Sequence, residues 1–426
     1  MRKFNSNLIL LLMGRTVSTM GTTVLMVAMP LYILDIGGSA ATIGLLSFTA
    51  FLPAMLIYPF AGVLGDRCNR KTIMILTKLG SGIVLLALTA LAYWGFLNLP
   101  FLLSGLIAVS VLNGLFDPAT KGILPQLVDA DNLSQANSVA SSLRMLSSLA
   151  GPVVGVTLYV SFGMTILFAI NAICFLLSSC TDMLILYRHK KPEGQTKFFT
   201  ELTDGFKFIL NRTEIRNLCF FLLVLFAMVQ PLFSVTLPLL FRTTLDYTDT
   251  QYGYLQMIIV AGAFLGSVLV GVLFGKGNKE ARALTIGLVL LMVSMFGFSA
   301  LIFPYSIARF VSSSLVYFAL LGGSLGLLSA AIMFINVPVH TIIQKQSPSE
   351  YMSRVFSVVA MIAKGGLPFG ALIYGFVLDR FAIHEVISVS SMLMLLISIV
   401  FWASFFGKRK FIENGQLPSV TRQLKK

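Results

Sequence analysis

Apolar segments long enough to cross a lipid bilayer recur along this chain, and we count about twelve of them. A membrane helix needs about 20 predominantly apolar residues, and it satisfies its own backbone hydrogen bonds in lipid. Hydrophobic residues make up 57% of the chain and charged residues 11%, a balance that a water-soluble domain could not keep in solution. The sequence therefore predicts an all-α integral membrane protein with twelve transmembrane helices. The predicted spans are Leu8–Leu34, Thr42–Leu64, Thr72–Phe96, Pro100–Phe116, Ala136–Val160, Met164–Tyr187, Ile215–Phe241, Tyr252–Phe274, Ala283–Phe303, Ala308–Val337, Met352–Leu378 and Val386–Phe406.

The distribution of basic side chains predicts the orientation of these helices. If both termini lie in the cytoplasm, the outer connections contain only Arg242, Arg309 and Arg380, and nearly all other Lys and Arg residues fall on the inner side. Cytoplasmic loops of membrane proteins carry this excess of bases. The net charge of +14 is thus a topology signal. We expect no nucleic-acid partner, because no soluble basic domain is present to bind one.

No pattern in the chain indicates catalytic or metal chemistry. The four cysteines and three histidines are scattered over predicted helices and loops without the spacing of metal ligands. Neither a nucleophile–base pair nor a sizeable soluble domain is visible, so the interpretations as a membrane enzyme or a receptor are not favoured. We expect no metal and no cofactor.

The two halves of the chain resemble each other. The longest polar stretch, residues 188–217, lies near the middle, and residues 62–70 match residues 271–279 in their apolar triplet and their bases. Asp66 is the exception, because Gly275 stands in its place. Weak internal symmetry of this kind is typical of transporters with parallel repeats. We predict a six-helix bundle at residues 1–190, an amphipathic cytoplasmic linker at residues 191–213, and a second six-helix bundle with a basic tail at residues 214–426.

Several motifs resemble those of one family of membrane proteins. Residues 62–71 read G-V-L-G-D-R-C-N-R-K and form a charged hairpin between the second and third predicted helices. This run resembles the G-x-L-x-D-R-x-G-R-K signature of the major facilitator superfamily, with Asn69 in place of the usual glycine. Residues 151–155, in the fifth helix, resemble its antiporter signature G-P-x-x-G. Residues 199–208, and the first helix from Arg15 onward, are similar to the macrolide-efflux and enterobactin-exporter branch, and the likeness covers essentially the whole chain.

The resemblance implies two pseudo-symmetric bundles that alternate between outward-open and inward-open states. It also implies a role for the hairpin in this change of state. Asp66 would lie near the start of the eleventh helix, where free backbone N–H groups stabilise a negative charge by about 0.3–2 kcal/mol. Arg354 would add an ion pair, and these contacts would close the cytoplasmic side; a solvated topology loop is the alternative. We expect Asn69 to keep the turn, because asparagine tolerates left-handed backbone geometry. The predicted lock consists of Gly62, Asp66, Arg67, Arg70, Lys71 and Arg354.

The antiporter signature in the fifth helix also has a packing interpretation. Gly151 and Gly155 would let a neighbouring backbone approach closely, while Pro152 removes one helical hydrogen bond and permits a bend. The resemblance associates this motif with sealing a cavity against leak. Close packing without any role in antiport is the alternative.

Ionisable residues inside the membrane are functional candidates by default. Arg15 and Asp117 are expected at a similar inner depth on the first and fourth helices, where they could pair, and Asp35 lies near the outer end of the first helix. Proton antiporters usually carry a central carboxylate, but no Asp or Glu lies near the middle of a predicted helix. A structural ion-pair cluster is the alternative for this group. Three more charged residues lie at the inner level: Arg144, Asp182 and Lys364.

Polar residues are sparse among the methionines and aromatic side chains that could line a cavity. The candidates are Asn113, Gln230 and Asn336. Such a lining suits bulky, largely apolar ligands. Contact with lipid or packing between helices is the alternative for these residues. The resemblance implies an exporter of amphiphilic small molecules, such as macrolide-like drugs, that works by proton antiport as a monomer in a bacterial cytoplasmic membrane. Export of a siderophore or another secondary metabolite and lipid flipping are the alternatives. The expected partners are a small-molecule substrate, protons and the lipid bilayer.

Overall fold

The chain folds into long helices with no strand among the residues that the structure describes. The computed structural model describes residues 6–128, 133–187, 206–274, 279–310, 314–347 and 352–413. Within these ranges only the backbone is described at residues 59, 62–63, 65–67, 118, 121–122, 125, 133–135, 137–138, 352–354, 356–357, 364 and 406–413.

Eleven helical segments of this described part are long and apolar enough to cross a membrane. One of them, Val139–Met183, has 45 residues and is long enough to cross twice. The prediction of twelve spans is therefore confirmed. We label the helices α1 Ser6–Asp35, α2 Ala40–Arg67, α3 Arg70–Tyr93, α4 Leu99–Leu127, α5 and α6 within Leu133–Met183, α7 Thr213–Thr244, α8 Asp249–Phe274, α9 Glu280–Leu301, α10 Leu315–Gln346, α11 Met352–Leu378 and α12 Ile383–Glu413.

A single glycine separates α5 from α6. Gly163 has φ 73° and ψ 176°, a conformation outside the helical region that glycine adopts without a steric penalty. Helix α5 thus covers residues 133–162 and α6 covers residues 164–183. Because each span reverses direction, the start of α1 and the end of α12 lie on the same face of the molecule. We call this the terminal face and the other the opposite face.

Short polar side chains start several of the helices. The Ser39 hydroxyl accepts a hydrogen bond from the Thr42 N–H before α2, and the Asn98 side chain accepts one from the Phe101 N–H before α4. Asn69 plays the same part before α3, where its Oδ1 accepts from the Lys71 N–H at 3.0 Å. Its φ is −65° and its ψ 112°. Asn69 thus keeps the turn between α2 and α3 as expected, but the reason differs: its side chain caps α3 with extended backbone and no left-handed geometry is needed.

The predicted span Ala308–Val337 is displaced from the observed helix α10. Ser314 caps this helix by accepting from the Tyr317 N–H at 3.2 Å, so the helix begins at Leu315. A separate short helix, Pro304–Phe310, precedes it. At its other end α10 continues to Gln346, since the helix extends past the apolar stretch to the terminal face. Apolar content alone missed both boundaries.

The linker that the sequence predicts at residues 191–213 is described from residue 206 onward. Residues 206–211 are helical, with Ile209 2% exposed and Leu210 56% exposed. The Arg212 guanidinium lies 5.7 Å from the centre of the Phe208 ring. The remaining linker residues lie outside the described part.

Glycines bring corresponding helices of the two halves into backbone contact. A Cβ atom at Gly155 of α5 would lie 2.8 Å from the Val24 carbonyl oxygen of α1. In the second half, a Cβ at Gly370 of α11 would overlap the Ala227 carbonyl oxygen of α7. Small residues allow this close approach between membrane helices. The α1–α5 contact of the first half thus corresponds to the α7–α11 contact of the second half, as expected for a chain with two similar halves.

The halves meet along α2 and α11. Gly44 and Gly375 approach so closely that a Cβ at Gly375 would lie 2.7 Å from the Ala40 carbonyl oxygen. Further along the same contact, the Phe48 and Phe369 rings pack edge to face with their centres 5.8 Å apart. The largest apolar core is continuous across both halves.

Candidate functional site

A cavity of about 260 Å³ lies between the two halves. It is bounded by α1, α2, α4 and α6 from one half and by α7 and α8 from the other. Its lining is mostly apolar, aromatic and thioether side chains, and none of the described residues that line it is charged. The lining residues used below are Met26, Met29, Phe51, Ser110, Asn113, Phe175, Phe233, Ser234, Tyr252 and Gln256.

Helix α7 presents two lining residues through a local widening of its backbone. Leu232–Thr236 forms a π turn, and a second one follows at Leu240–Thr244. Single π turns inside α-helices rotate the following side chains and often occur at functional sites. Phe233 and Ser234 lie in the first of them and line the cavity.

Ser110 of α4 is a polar residue of the cavity that the sequence analysis missed. Its hydroxyl donates to the Ala50 carbonyl at 2.6 Å and accepts from the Ala54 N–H at 3.1 Å. These two backbone groups of α2 would pair with each other in a regular helix. The Ser110 side chain is thus inserted into the hydrogen-bond ladder of α2, beside Pro53, which lacks an N–H group. No feature of the sequence around Ser110 indicates this contact with α2.

Two polar residues of α8 face the cavity from the other half. The Gln256 side-chain amide donates to the Tyr252 hydroxyl at 2.7 Å. This bond fixes the orientation of the Gln256 amide and leaves its carbonyl oxygen as an acceptor. Together with Asn113 of α4, the cavity offers a few hydrogen-bonding groups in an otherwise apolar surface.

Of the three polar cavity residues that the sequence predicts, Asn113 alone lines the described cavity. Gln230 is partly buried in α7, and its backbone carbonyl accepts from Ser234 at 3.5 Å. Asn336 of α10 is also partly buried, and its Oδ1 has no hydrogen-bond partner among the described residues.

Charged side chains join the halves at the opposite face. Arg242 near the end of α7 forms ion pairs with Asp35 at the end of α1 and with Asp249 at the start of α8. The Tyr159 hydroxyl of α5 donates a hydrogen bond to Asp35. Asp35, which the sequence analysis treats as a candidate for coupling, is thus placed in a contact between the halves, away from the cavity.

A second contact closes the same face. Asp379 after α11 accepts hydrogen bonds from the Ser39 hydroxyl at 2.9 Å and from the Ala41 N–H at 3.3 Å. Its carboxylate therefore lies at the start of α2, where free N–H groups favour a negative charge. An acid of the second half thus caps a helix of the first half.

We expect Arg242→Gln to shift the protein toward states in which the opposite face is open. Partly exposed ion pairs contribute about 0.2–1 kcal/mol each, so loss of both changes the ratio of closed to open molecules by about twofold to about thirtyfold. Spin labels at Ile36→Cys and Thr244→Cys, measured by double electron–electron resonance, should report a larger share of long distances. Arg309→Gln is the control, because Arg309 bonds Tyr305 within one short helix. An unchanged distance distribution in Arg242→Gln contradicts the closure.

Arg15 and Asp117 come near each other without a direct bond. Tyr58 of α2 donates its hydroxyl to Asp117 Oδ2 at 3.1 Å, while Arg15 interacts with Asp117 electrostatically. Asp117 follows Asn113 by one turn of α4 on the same helix face, which places it toward the terminal face from the cavity. The sequence suggested that Arg15 and Asp117 could pair directly, but the acid's hydrogen-bond partner among the described residues is Tyr58.

A buried ion pair within the first half escaped the sequence analysis. Lys78 of α3 lies 2.9 Å from Asp182 of α6, and the two side chains are 2% and 0% exposed. The Phe116 ring lies 4.7 Å from the lysine nitrogen. The sequence did contain a signal for this pair, because Lys78 is a lone charge within an apolar run and such a charge needs a partner. Arg144, predicted at the same level as Asp182, is exposed and donates to the Ser141 hydroxyl.

The residues of the predicted cytoplasmic lock are described only in part. The backbone of residues 62–67 is helical as the end of α2. Arg70 begins α3, and the Lys71 ammonium donates to the Met183 carbonyl at 2.8 Å, so it joins α3 to α6 within the same half. The lock between the halves remains a prediction. Outside the described side chains lie Gly62, Asp66, Arg67 and Arg354.

The glycines of the antiporter signature pack directly on α1. A Cβ at Gly151 would lie 2.6 Å from Thr23 Cγ2, and one at Gly155 would meet the Val24 backbone. Pro152 lies inside α5. The packing interpretation of Gly151 and Gly155 therefore rests on observed contacts.

Twelve spans arranged around a cavity lined from both halves, with charged contacts that close one face, define a multi-pass membrane transporter rather than an enzyme. The chain matches the Major Facilitator Superfamily over residues 11–371 and belongs to this family. The resemblance drawn from the hairpin and the fifth helix is confirmed.

Several relatives are efflux proteins. The chain is 24% identical to macrolide efflux protein A of Streptococcus pyogenes over 401 residues, which cover 91% of this chain and 93% of that protein. It is also 24% identical to the multidrug efflux pump Tap of Mycolicibacterium fortuitum, over 96% of this chain and 98% of that protein.

Solved structures of transporters share the fold. The nucleoside transporter NupG superposes with a TM-score of 0.73 at 13% identity, over 94% of this chain and 99% of that chain. A bacterial homolog of the human lysosomal transporter Spinster, inward-facing and occupied, gives a TM-score of 0.68 at 14% identity, over 97% and 98% of the two chains. At such identities the likeness concerns the fold alone.

Proposed function

We propose that this protein exports uncharged or weakly basic amphiphilic small molecules of the macrolide kind by alternating access, with proton antiport as the driving reaction. The observation that carries the substrate class is the cavity between the halves. Its apolar and aromatic lining, with Met26, Met29 and Phe233 among its members, would bury a large apolar ligand surface. Asn113 and Gln256 would bind the few polar groups of such a ligand.

The charge of the cavity favours this class over a strongly cationic or anionic substrate. No described lining residue is charged, and burying an unpaired ionic group costs far more than burying a neutral one. The 24% identity to macrolide efflux protein A, over nearly the full length of both chains, supports the same class.

The contacts that close the opposite face, together with those predicted at the terminal face, support alternating access. Arg242 and Asp379 close the opposite face, which we place outside the cell together with a cytoplasmic position of both termini. The Asp66 hairpin and Arg354 would close the terminal face in the other state. Each set of contacts would break as the other forms, so the charges bias a two-state element.

We assign the coupling proton to Asp117. It is the acid one helical turn from the cavity residue Asn113, and its neighbours Tyr58 and Arg15 come from the two helices that flank the cavity. A proton on this carboxylate could reach the cavity, whereas Asp182 is fully buried against Lys78.

The test is reconstitution in liposomes with an imposed pH gradient. We expect the pH gradient to drive transport of a macrolide. Transport of a catecholate siderophore instead would favour the metabolite alternative, and transport of a labelled phospholipid would favour the lipid alternative. Movement of every compound without regard to the gradient contradicts antiport.

Replacing Asp117 by Asn should uncouple transport. We expect accumulation driven by the pH gradient to fall to the level without a gradient, while exchange of labelled for unlabelled substrate continues, because the cavity is intact. Asp246→Asn is a matched control: this acid lies in the loop after α7 with φ 51°, a geometry that asparagine also tolerates. Gradient-driven transport by Asp117→Asn at the native rate removes the assignment.

A further inference from the structure

A groove runs along the outer surface of the second half, between α7 and α12 near the terminal face. Its volume is about 500 Å³. The floor contains the stacked rings of Phe221 and Phe401, which lie 4.1 Å apart at 16°. Outside the groove, the Phe405 ring stacks on Phe401 at 5.6 Å. Phe220 and Val400 form the rims and are 63% and 60% exposed. The groove is separate from the cavity, which lies between the halves.

The groove has a polar, positively charged end. Arg216 and Asn217, in the first turns of α7, line it there, and Ser404 lines it from α12. The Arg216 guanidinium donates to the Leu210 carbonyl at 2.9 Å, which holds it over the preceding turn. None of the described residues that line the groove is an acid. Glu214, the acid of the same turn of α7, accepts a hydrogen bond from Gln346 of α10 instead.

The two ends of the groove match the headgroup and the acyl chains of a lipid in their depth in the membrane. Helix α7 begins at Thr213, so Arg216 and Asn217 lie at the level of the headgroups. Phe221 and Phe401 follow toward the middle of the membrane, where the acyl chains lie. A gap between helices in a bilayer cannot stay empty, because the lining atoms would lose their dispersion contacts.

We propose that the groove binds one phospholipid with an anionic headgroup from the leaflet at the terminal face. An acyl chain would lie on the Phe221–Phe401 stack, and the phosphate would be bound by Arg216 and Asn217. Guanidinium groups bind phosphate through paired hydrogen bonds, and basic pockets between membrane helices select anionic headgroups. A zwitterionic lipid would leave the excess positive charge of this end uncompensated. The lipid is a bound component here and not a transported one.

Native mass spectrometry of the full-length protein tests the proposal. The purified protein receives equimolar phosphatidylglycerol and phosphatidylcholine, and the retained lipids are counted. We expect one retained phosphatidylglycerol, and we expect Arg216→Gln to reduce its preference over phosphatidylcholine about fivefold. Arg282→Gln is the matched control, since Arg282 is an exposed base in the first turn of α9. Val400→Trp should fill the groove and remove both lipids.

Three results would overturn the proposal. The first is equal retention of the two lipids by the unmodified protein, and the second is an equal loss of preference in Arg282→Gln. The third is a dimer that Val400→Trp dissociates, because a second copy of the chain would then occupy the groove. All three substituted positions, Arg216, Arg282 and Val400, are exposed at the surface of the molecule. Monodisperse elution of each variant shows that it is folded.

Discussion

Replacing Lys78 by methionine is expected to lower the free energy of unfolding by about 3–5 kcal/mol, the largest effect of any single change that we consider. The reason is the charge left behind. Asp182 is 0% exposed, and without the ammonium at 2.9 Å its carboxylate would be buried without its ion-pair partner. Asp182→Leu should destabilise the protein to a similar extent, because it strands the lysine.

The double variant distinguishes charge pairing from packing. Buried ion pairs can often be replaced by apolar side chains of similar volume without loss of stability, because both desolvation costs disappear together. We therefore expect Lys78→Met combined with Asp182→Leu to recover most of the lost stability. Thermal unfolding in detergent measures all three variants.

An exposed pair of the second half provides the control. Lys345 pairs with Glu280, but the lysine side chain is 52% exposed. Lys345→Met should change stability by only about 0–1 kcal/mol. A double variant as unstable as the single ones would contradict this account of the Lys78–Asp182 pair.

The second large effect is expected at the glycines that join helices through their backbones. Overpacking costs about 1–3 kcal/mol where the surroundings cannot yield, and backbone atoms yield least. We expect Gly370→Ala to destabilise the protein more than Gly155→Ala. The added Cβ would overlap the Ala227 carbonyl oxygen in the first case and lie 2.8 Å from the Val24 carbonyl oxygen in the second.

Two glycines of other membrane helices serve as matched controls. A Cβ at Gly297 of α9 or at Gly323 of α10 would meet nothing within 4 Å. Alanine favours the helix by about 1 kcal/mol over glycine, so these substitutions should be neutral or stabilising. The measurement is again thermal unfolding in detergent, with transport assayed beside it. Equal effects at all four positions would refute close approach as the reason for Gly155 and Gly370.

The helices themselves could be predicted to a large extent. Each span is a local property of the chain, since hydropathy over about 20 residues decides whether a segment remains in lipid. The break between the fifth and sixth helices was expected at the position where Gly163 provides it. The start of α10 was missed because the cap at Ser314, rather than apolar content, decides where that helix begins.

The candidate site was predicted less completely. Asn113 was expected to line a cavity and does so, whereas Ser110 and Gln256 were not expected, because no sequence pattern shows which helix faces rotate toward the centre. Asp35 looked like a candidate for coupling as an isolated acid near a helix end. Its role in a contact between the halves became visible only with Arg242, which lies 207 residues away in the chain.

From the sequence alone follow the membrane-spanning class, the number of helices, the duplication and the family resemblance. All of these depend on composition or on motifs of a few neighbouring residues. The tertiary structure alone decided which charged residues meet: Lys78 with Asp182, Arg242 with Asp35 and Asp249, and Asp379 with the start of α2. Most of these partners are distant in sequence, and side chains form an ion pair only when helix packing brings them within a few ångströms of each other.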